Sequence, residues 1–349
     1  MFSRRSLLSL LGLSILELSS LKVLSISKNS SNGMTLIKPN SLKENDIVGV
    51  VAPGTAVPSP DDLFRAKEIL SKLNLRAKFS SNISKGTNYR TRSIQERLDD
   101  LMNMFLDKDV RAIFCIRGGY GSGQLLDKID YSIIRNNPKI FVGYSDITAL
   151  HIAFNKFARI VTFHGPVLLS PFSRYTFELL RNLLFGKEKQ PKIQNPFETE
   201  TIRSTHYIRT IKTGKAQGIV VGGNLSIICS LLGTPFEYDF NDTILVLEDV
   251  QEEPYRIDRM LNQLRLAGIF KKVNGLIFGE CNDCVPSTQN VWDFSLGEVL
   301  DNYFSNLNKP SFYGLCIGHT SDQATFPIGV AAEIDAEKGT LTYLDNILD

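Results

Sequence analysis

Three apolar runs near the start of the chain end alike, and their endings limit the folds open to it. "DIVGVVAPG" begins at Asp46 and stops at Pro-Gly. "VRAIFCI" begins at Val110 and opens into Arg117-Gly118-Gly119-Tyr120-Gly121-Ser122-Gly123. "KIFVGYSD" begins at Lys139 and turns at Gly143-Tyr144-Ser145-Asp146. Short apolar runs bounded by turn residues are the pattern of strands buried on both faces. Helical stripes lie between them. Ser59-Pro60-Asp61-Asp62 supplies an N-cap, a first-turn proline and acids ahead of Leu63, Ala66, Leu70 and Leu73. Ser93-Ile94-Gln95-Glu96 is a capping box, and Ile94, Leu98, Leu101 and Phe105 make one stripe. This alternation predicts an α/β fold, a parallel sheet with helices on both faces and ligands outside the carboxyl ends of the strands.

The alternation lapses from about Ser170 to Thr213, where "FGKEKQPKIQNPFETE" is polar and carries two prolines. It resumes with "GIVVGGNLSIICSLLG", "DTILVLEDV", a helical stripe of Ile257, Met260, Leu261 and Leu264, and "VNGLIFGE". "VAAEIDAEKGTLTYL" then reads as a hairpin turning at Lys338-Gly339. A chain of 349 residues exceeds one ordinary core. The expected organisation is an N-terminal domain over 42–169, a connector over 170–213 and a second α/β domain over 214–349. Residues 1–33 stand apart: Ser3-Arg4-Arg5 precedes a leucine-rich run, and "SKNSSNGMT" reads as a spacer. That layout is a signal-like leader of twin-arginine type or a loose membrane anchor, which makes export the expectation and the cytoplasm the alternative.

Lysine plus arginine exceed aspartate plus glutamate by only two, so nothing marks a nucleic-acid surface. Five cysteines are too few for a disulfide scaffold. Cys281-Asn282-Asp283-Cys284 has no second cysteine pair and the four histidines are scattered, so no metal site is expected and the pair reads as semi-buried thiols.

The strand-to-helix corner at Ser145 poses the chemical question, because a serine hydroxyl needs a base, and the base an orienting group. His151 lies in the helix after the serine and His206 in the polar connector. His164 in "TFHGPV" and His319 in "LCIGHTSDQ" both follow apolar runs. Position favours His319 without deciding between them. For the carboxylate, Glu248 and Asp249 end "TILVLED", and alternation puts them on opposite sides of the sheet. Asp146 is accounted for as a first-turn helix acid. Its amide and the Gly118-Gly119 turn are candidate oxyanion donors. The same glycine turn has a rival reading as a phosphate cradle, although it lacks the lysine of a P-loop.

"APG", "RGGYGSGQLL", "GYSDITAL", "FHGPV", "GGNL", "LVLEDV" with "EPYRIDRML", and "GH" occur in that order from about Asp46 to Leu344. Together they resemble the serine-type L,D-carboxypeptidases, the muramoyltetrapeptide carboxypeptidases with the related microcin-immunity peptidases. The resemblance implies a Rossmann-like N-terminal domain, a smaller α/β C-terminal domain and a site at their junction. It further implies Ser145 as nucleophile, Glu248 as orienting carboxylate, His319 as base, and the amides of Gly119 and Asp146 as the oxyanion hole. No metal or cofactor is implied, and homodimers are usual. The implied reaction releases terminal D-alanine from a murein tetrapeptide, with Arg117 as a candidate for holding a substrate carboxylate. The alternatives are cleavage of an aminoacyl-adenylate conjugate, and a non-catalytic peptidoglycan-binding module. Membrane contact is expected only through the N-terminal segment.

Overall fold

Apolar runs too short for helices bury their backbone polar groups best as neighbouring strands, and all three do so here. A computed structural model describes residues 34–57, 59–86, 92–197, 205–286 and 294–349. The leader expected over 1–33 lies outside the described residues. The first sheet contains β1 (Ile47–Val51), β2 (Arg76–Phe79), β3 (Val110–Cys115), β4 (Ile140–Gly143) and β5 (Thr162–His164). The second contains β6 (Lys192–Ile193), β7 (Arg209–Lys212), β8 (Lys215–Asn224), β9 (Thr243–Glu248), β10 (Gly275–Gly279) and β11 (Ser311–Leu315). Next along the chain is β12 (Phe326–Ile328), which returns to the first sheet, and the hairpin β13 (Ala331–Asp335) and β14 (Thr340–Tyr343) closes the second.

In the first sheet the order is β12-β5-β4-β3-β1-β2, parallel throughout except for β12. In the second it is β6-β14-β13-β8-β9-β10-β11-β7, with a parallel centre from β8 to β11 and antiparallel flanks. Helices α1 (Pro60–Lys72), α2 (Ile94–Leu106), α3 (Tyr131–Asn136) and α4 (Thr148–Ala153) belong to the first alternation. Ser93 caps α2 as expected, accepting from the Glu96 amide at 3.2 Å while Glu96 accepts from the Ser93 amide at 3.1 Å. The span read as a connector contains a helix, α5 (Arg174–Leu184), as well as β6 and β7. Helices α6 (Leu225–Leu231), α7 (Pro254–Leu266), α8 (Ile269–Lys272) and α9 (Leu296–Phe304) accompany the second sheet. Among the described residues, no helix is long and apolar enough to cross a membrane.

The two sheets share their core. One buried cluster joins Ile113 and Phe141 to Leu245 and Phe278, and a second joins Val50, Phe114 and Val142 to Val220, Val246 and Phe312. Where α4 meets the end of β8, the Asn224 amide donates to Thr148 Oγ1 at 3.0 Å. Gly223 lies in the same contact; a β-carbon there would fall 2.5 Å from that hydroxyl and 3.2 Å from the His164 ring. Only glycine allows this approach. These contacts hold the ends of β4 and β9 near each other, and that is what builds the site.

Behind the turn after β1, Arg92 and Asp100 form a fully buried pair at 2.7 Å, and Arg92 also bonds the Ala52 carbonyl. Asp100 accepts from the Ser80 hydroxyl at 2.8 Å and the Asn82 amide at 3.1 Å. Asp100→Ala leaves a buried guanidinium without its counter-charge. We expect this to lower unfolding stability by about 3–5 kcal/mol, read as a lower urea midpoint with an unchanged slope.

Candidate active site

Ser145 occupies the corner between β4 and α4 with φ at +63°, in the left-handed region that non-glycine residues seldom adopt. Tyr144 before it is extended, and a short 3₁₀ turn over Ser145–Ile147 leads into α4. Such a corner presents a side chain at the top of a parallel sheet and stores backbone strain. The glycine-rich turn after β3 lies against it. A β-carbon on Gly118 would sit 3.2 Å from the Ser145 β-carbon and 3.5 Å from its hydroxyl.

The Asp146 side chain has a role that the helix-dipole reading missed. Its carboxylate accepts from the amides of Gly121 at 3.2 Å and Ser122 at 2.9 Å, and the Ser122 hydroxyl donates to its carbonyl at 2.5 Å. Burial pushes the Asp146 carboxyl up, while these donors and Arg97 oppose that rise. Arg97 donates to the carbonyls of Pro53 and Gly121, at 2.7 and 2.8 Å. Thr55 bonds the Gly118 carbonyl at 3.2 Å, and Gly119, with φ at +96°, packs on that threonine. The turn is therefore tied on three sides beside the serine. Arg117 at its start is half-buried and donates to the Ala56 carbonyl at 3.1 Å.

Strand β9 ends in the two acids, and the pleat separates them as expected. Glu248 is fully buried and its Oε2 lies 2.8 Å from Nδ1 of His319. Asp249 points the other way, accepting from Asn224 Nδ2 at 3.1 Å and the Ser226 amide at 3.0 Å. Burial, together with the neighbouring Glu248 charge, raises the Asp249 carboxyl to about 6. Gly318 makes room for the His319 contact; a β-carbon there would stand 2.1 Å from Glu248 Oε2, and its φ is +75°. Burial opposes charge on His319, but the hydrogen bond and charge of Glu248 outweigh it and raise its pKa. With Nδ1–H given to the carboxylate, Nε2 is the nitrogen left to take a proton. The His319 ring lies 4.8 Å from that of Tyr144, the residue before the serine. Glu248 and His319 thus pair beside Tyr144, the residue that precedes the Ser145 corner.

The other histidines separate cleanly. His151 is buried with Nε2 2.8 Å from the Gly143 carbonyl, and burial lowers it to about 4. His164 is fully buried against Phe326 and held well below its ordinary pKa by burial, so it stays neutral. Its Nε2 is 3.8 Å from Glu248 Oε1. Among the described residues, no group of three or more His, Cys, Asp or Glu is arranged to hold a metal ion.

Two family descriptions match the chain: LD-carboxypeptidase N-terminal domain over 48–165, and LD-carboxypeptidase C-terminal domain over 217–334. The chain belongs to the LD-carboxypeptidase family. A "probable murein peptide carboxypeptidase" of Bacillus subtilis is 39% identical over 304 residues, covering 87% of this chain and 93% of that one. The crystal structure of a muramoyltetrapeptide carboxypeptidase from Oxalobacter formigenes superposes with a TM-score of 0.73 at 27% identity, covering 85% of this chain and 97% of that one. A MccF-like protein from Bacillus anthracis gives a TM-score of 0.78 at 29% identity, covering 89% and 100%. Membership accounts for the order of motifs along both halves of the chain.

Two features of this family member escaped the sequence reading. Cys281 and Cys284 are joined in a disulfide and are not thiols, because the turn between them brings their Cα atoms to 5.5 Å, within bonding geometry. His206, assigned to a polar connector, is buried and bridges two carboxylates, with Nδ1 2.7 Å from Glu280 and Nε2 3.0 Å from Asp322. Thr320 donates to the other Glu280 oxygen at 2.7 Å, so this cluster clasps the loop that carries His319. An acid directly after the apolar run "VNGLIFG" was the available signal, since Glu248 likewise comes directly after the apolar run "TILVL".

The hydrogen bond that His206 donates to Glu280, aided by Asp322, raises His206 to about 9 against opposing burial. A folded-state pKa above the unfolded value stabilises below about 6.5 and loses that contribution as pH rises through about 9. His206→Gln should therefore lower stability most in mildly acidic solution. The gap from wild type should narrow as pH rises through 9, as thermal melts over a pH series will register.

Proposed function

We propose that this chain is a serine-type L,D-carboxypeptidase that releases terminal D-alanine from murein tetrapeptides. One observation carries the reading: a buried Glu248–His319 pair stands beside a positive-φ serine corner. In the proposed reaction Ser145 Oγ attacks the carbonyl of the L,D bond while His319 takes its proton. Glu248 holds the imidazole in the tautomer that accepts at Nε2 and stabilises the imidazolium. The amides of Gly119 and Asp146 receive the oxyanion, and fixed backbone donors are suited to this because they need not reorganise as charge develops. His319 then protonates the leaving amine of D-alanine, and water releases the shortened peptide from the serine. Arg117, at the rim of the glycine turn, is proposed to meet the terminal carboxylate of the substrate. The names of the relatives from Bacillus subtilis and Oxalobacter formigenes support murein peptides as substrates.

We also propose that the protein works outside the cytosol. The basic, leucine-rich leader supports this, and so does the Cys281–Cys284 bridge, since disulfides persist in oxidising compartments.

Purified wild type should release D-alanine from disaccharide tetrapeptide, and Ser145→Ala should lose at least about 10³-fold in kcat. Unchanged release by the variant would refute the nucleophile assignment. Because His319 must be neutral to act and its pKa is raised, kcat/KM should climb with pH through a value above about 6.5. Glu248→Gln removes the group that raises it, so the acid limb should move to lower pH as kcat falls. A limb left in place by that variant would argue against His319 as the titrating base.

A further inference from the structure

Strands β9, β10 and β11 lie side by side in that order, so the loop leaving β10 stands between the exits bearing Glu248 and His319. That middle loop runs Glu280-Cys281-Asn282-Asp283-Cys284, and Asn282 reaches both neighbours. Its side-chain amide donates to the His319 carbonyl at 2.7 Å. Its own carbonyl accepts from the Gln251 amide at 2.9 Å, three residues beyond Glu248. Asn282 and Asp283 are exposed, and Asp283 is in the left-handed region with φ at +57°. An exposed turn of this kind would ordinarily sample many conformations, and fixing it costs conformational entropy. The Cys281–Cys284 bridge closes the turn into a small ring and anchors both its ends in buried positions.

We propose that Asn282 is a positioning residue for His319 and that the Cys281–Cys284 disulfide holds it in place. The contact acts on the backbone of His319, setting where the ring stands, and Glu248 governs the ring's charge. Glu280 holds Thr320, the residue after the histidine, so Asn282 supplies a second fixed point that keeps the imidazole from swinging about its Glu248 contact. Displacement of a proton-transfer group by about 1 Å can cost about 100-fold in rate. The disulfide makes this support sensitive to reduction. A dithiol gives two electrons and two protons, the S–S bond becomes two thiols, and the reagent closes to its cyclic disulfide. This inference rests on the proposed serine mechanism.

The test compares wild type, Asn282→Asp and the double variant Cys281→Ser/Cys284→Ser by two readouts. One is kcat and KM on murein tetrapeptide; the other is the rate at which a fluorophosphonate labels Ser145, which needs no peptide substrate. Asn282→Asp keeps size and main chain but removes the donor. It should lower kcat and the labelling rate together by about 10- to 100-fold, with KM and melting temperature unchanged. Wild type treated with dithiothreitol should slow in the same direction and recover when glutathione disulfide re-forms the bridge by exchange. Tetrapeptide left uncleaved while the variants still slow labelling would fail the substrate reading and keep this one. Unchanged kcat and labelling in Asn282→Asp, or a wild type whose Ser145 is neither labelled nor catalytic, would overturn it. So would a variant that loses activity only by melting early.

Discussion

A buried carboxylate is tolerable only with a partner, and among the described residues Glu248 is hydrogen-bonded to the Nδ1 of His319 at 2.8 Å. The two residues are 71 positions apart and leave from strands separated by β10, so the contact exists only when the second sheet is complete. Desolvation makes the interaction strong and also makes its loss costly, because an unpaired charge would remain in the interior. The surrounding sequence is shaped to permit it. Gly318 leaves the space that a β-carbon would take from Glu248, and Asp249 turns away to bind the cap of α6.

Bringing Ser145 to this pair requires the first sheet to dock on the second with little freedom. The docking is made of small groups: the Thr148 hydroxyl on the Asn224 amide, Gly223 beneath it, and mixed apolar clusters behind. Strand β12 adds a covalent reason, since the chain that has just delivered His319 goes on to pair with β5 in the first sheet. The loop that carries His319 is thereby held at both ends, by β11 in one sheet and β12 in the other. Gly-rich backbone on the serine side is fastened by charged side chains, Asp146 and Arg97, and rigidity there is a property of those ties and not of the glycines.

Much of this could be read along the chain because the relevant forces are local. The capping box at Ser93, the stripe of Leu63, Ala66, Leu70 and Leu73, and the hairpin at Lys338-Gly339 are decided by neighbours within a few positions; each forms, with Leu63 only half-buried at the edge of its stripe. The pleat alone separates Glu248 from Asp249. By contrast, nothing in the polar stretch around His206 tied it to Glu280 and Asp322, which are 74 and 116 residues away, although the acid ending "VNGLIFGE" was visible in its own stretch. The cysteine pair was judged by the missing partners of a metal site, when the decisive quantity was the geometry of a two-residue turn. The carboxylate of Asp146 satisfied a local explanation, the helix dipole, which hid its distant task of pinning Gly121 and Ser122.

By itself the sequence determined the α/β alternation and the corners at which side chains emerge, because periodicity, capping and turn chemistry act over short separations, and its ordered motifs carried the resemblance to the LD-carboxypeptidase family. Spacing left open which histidine meets which acid and the resemblance only implied it; that pairing, and the ring of four residues that braces the loop between them, are made by tertiary structure. Those pairings depend on strand order, and strand order is set by burial of whole faces against one another, a quantity that no single stretch of the chain contains.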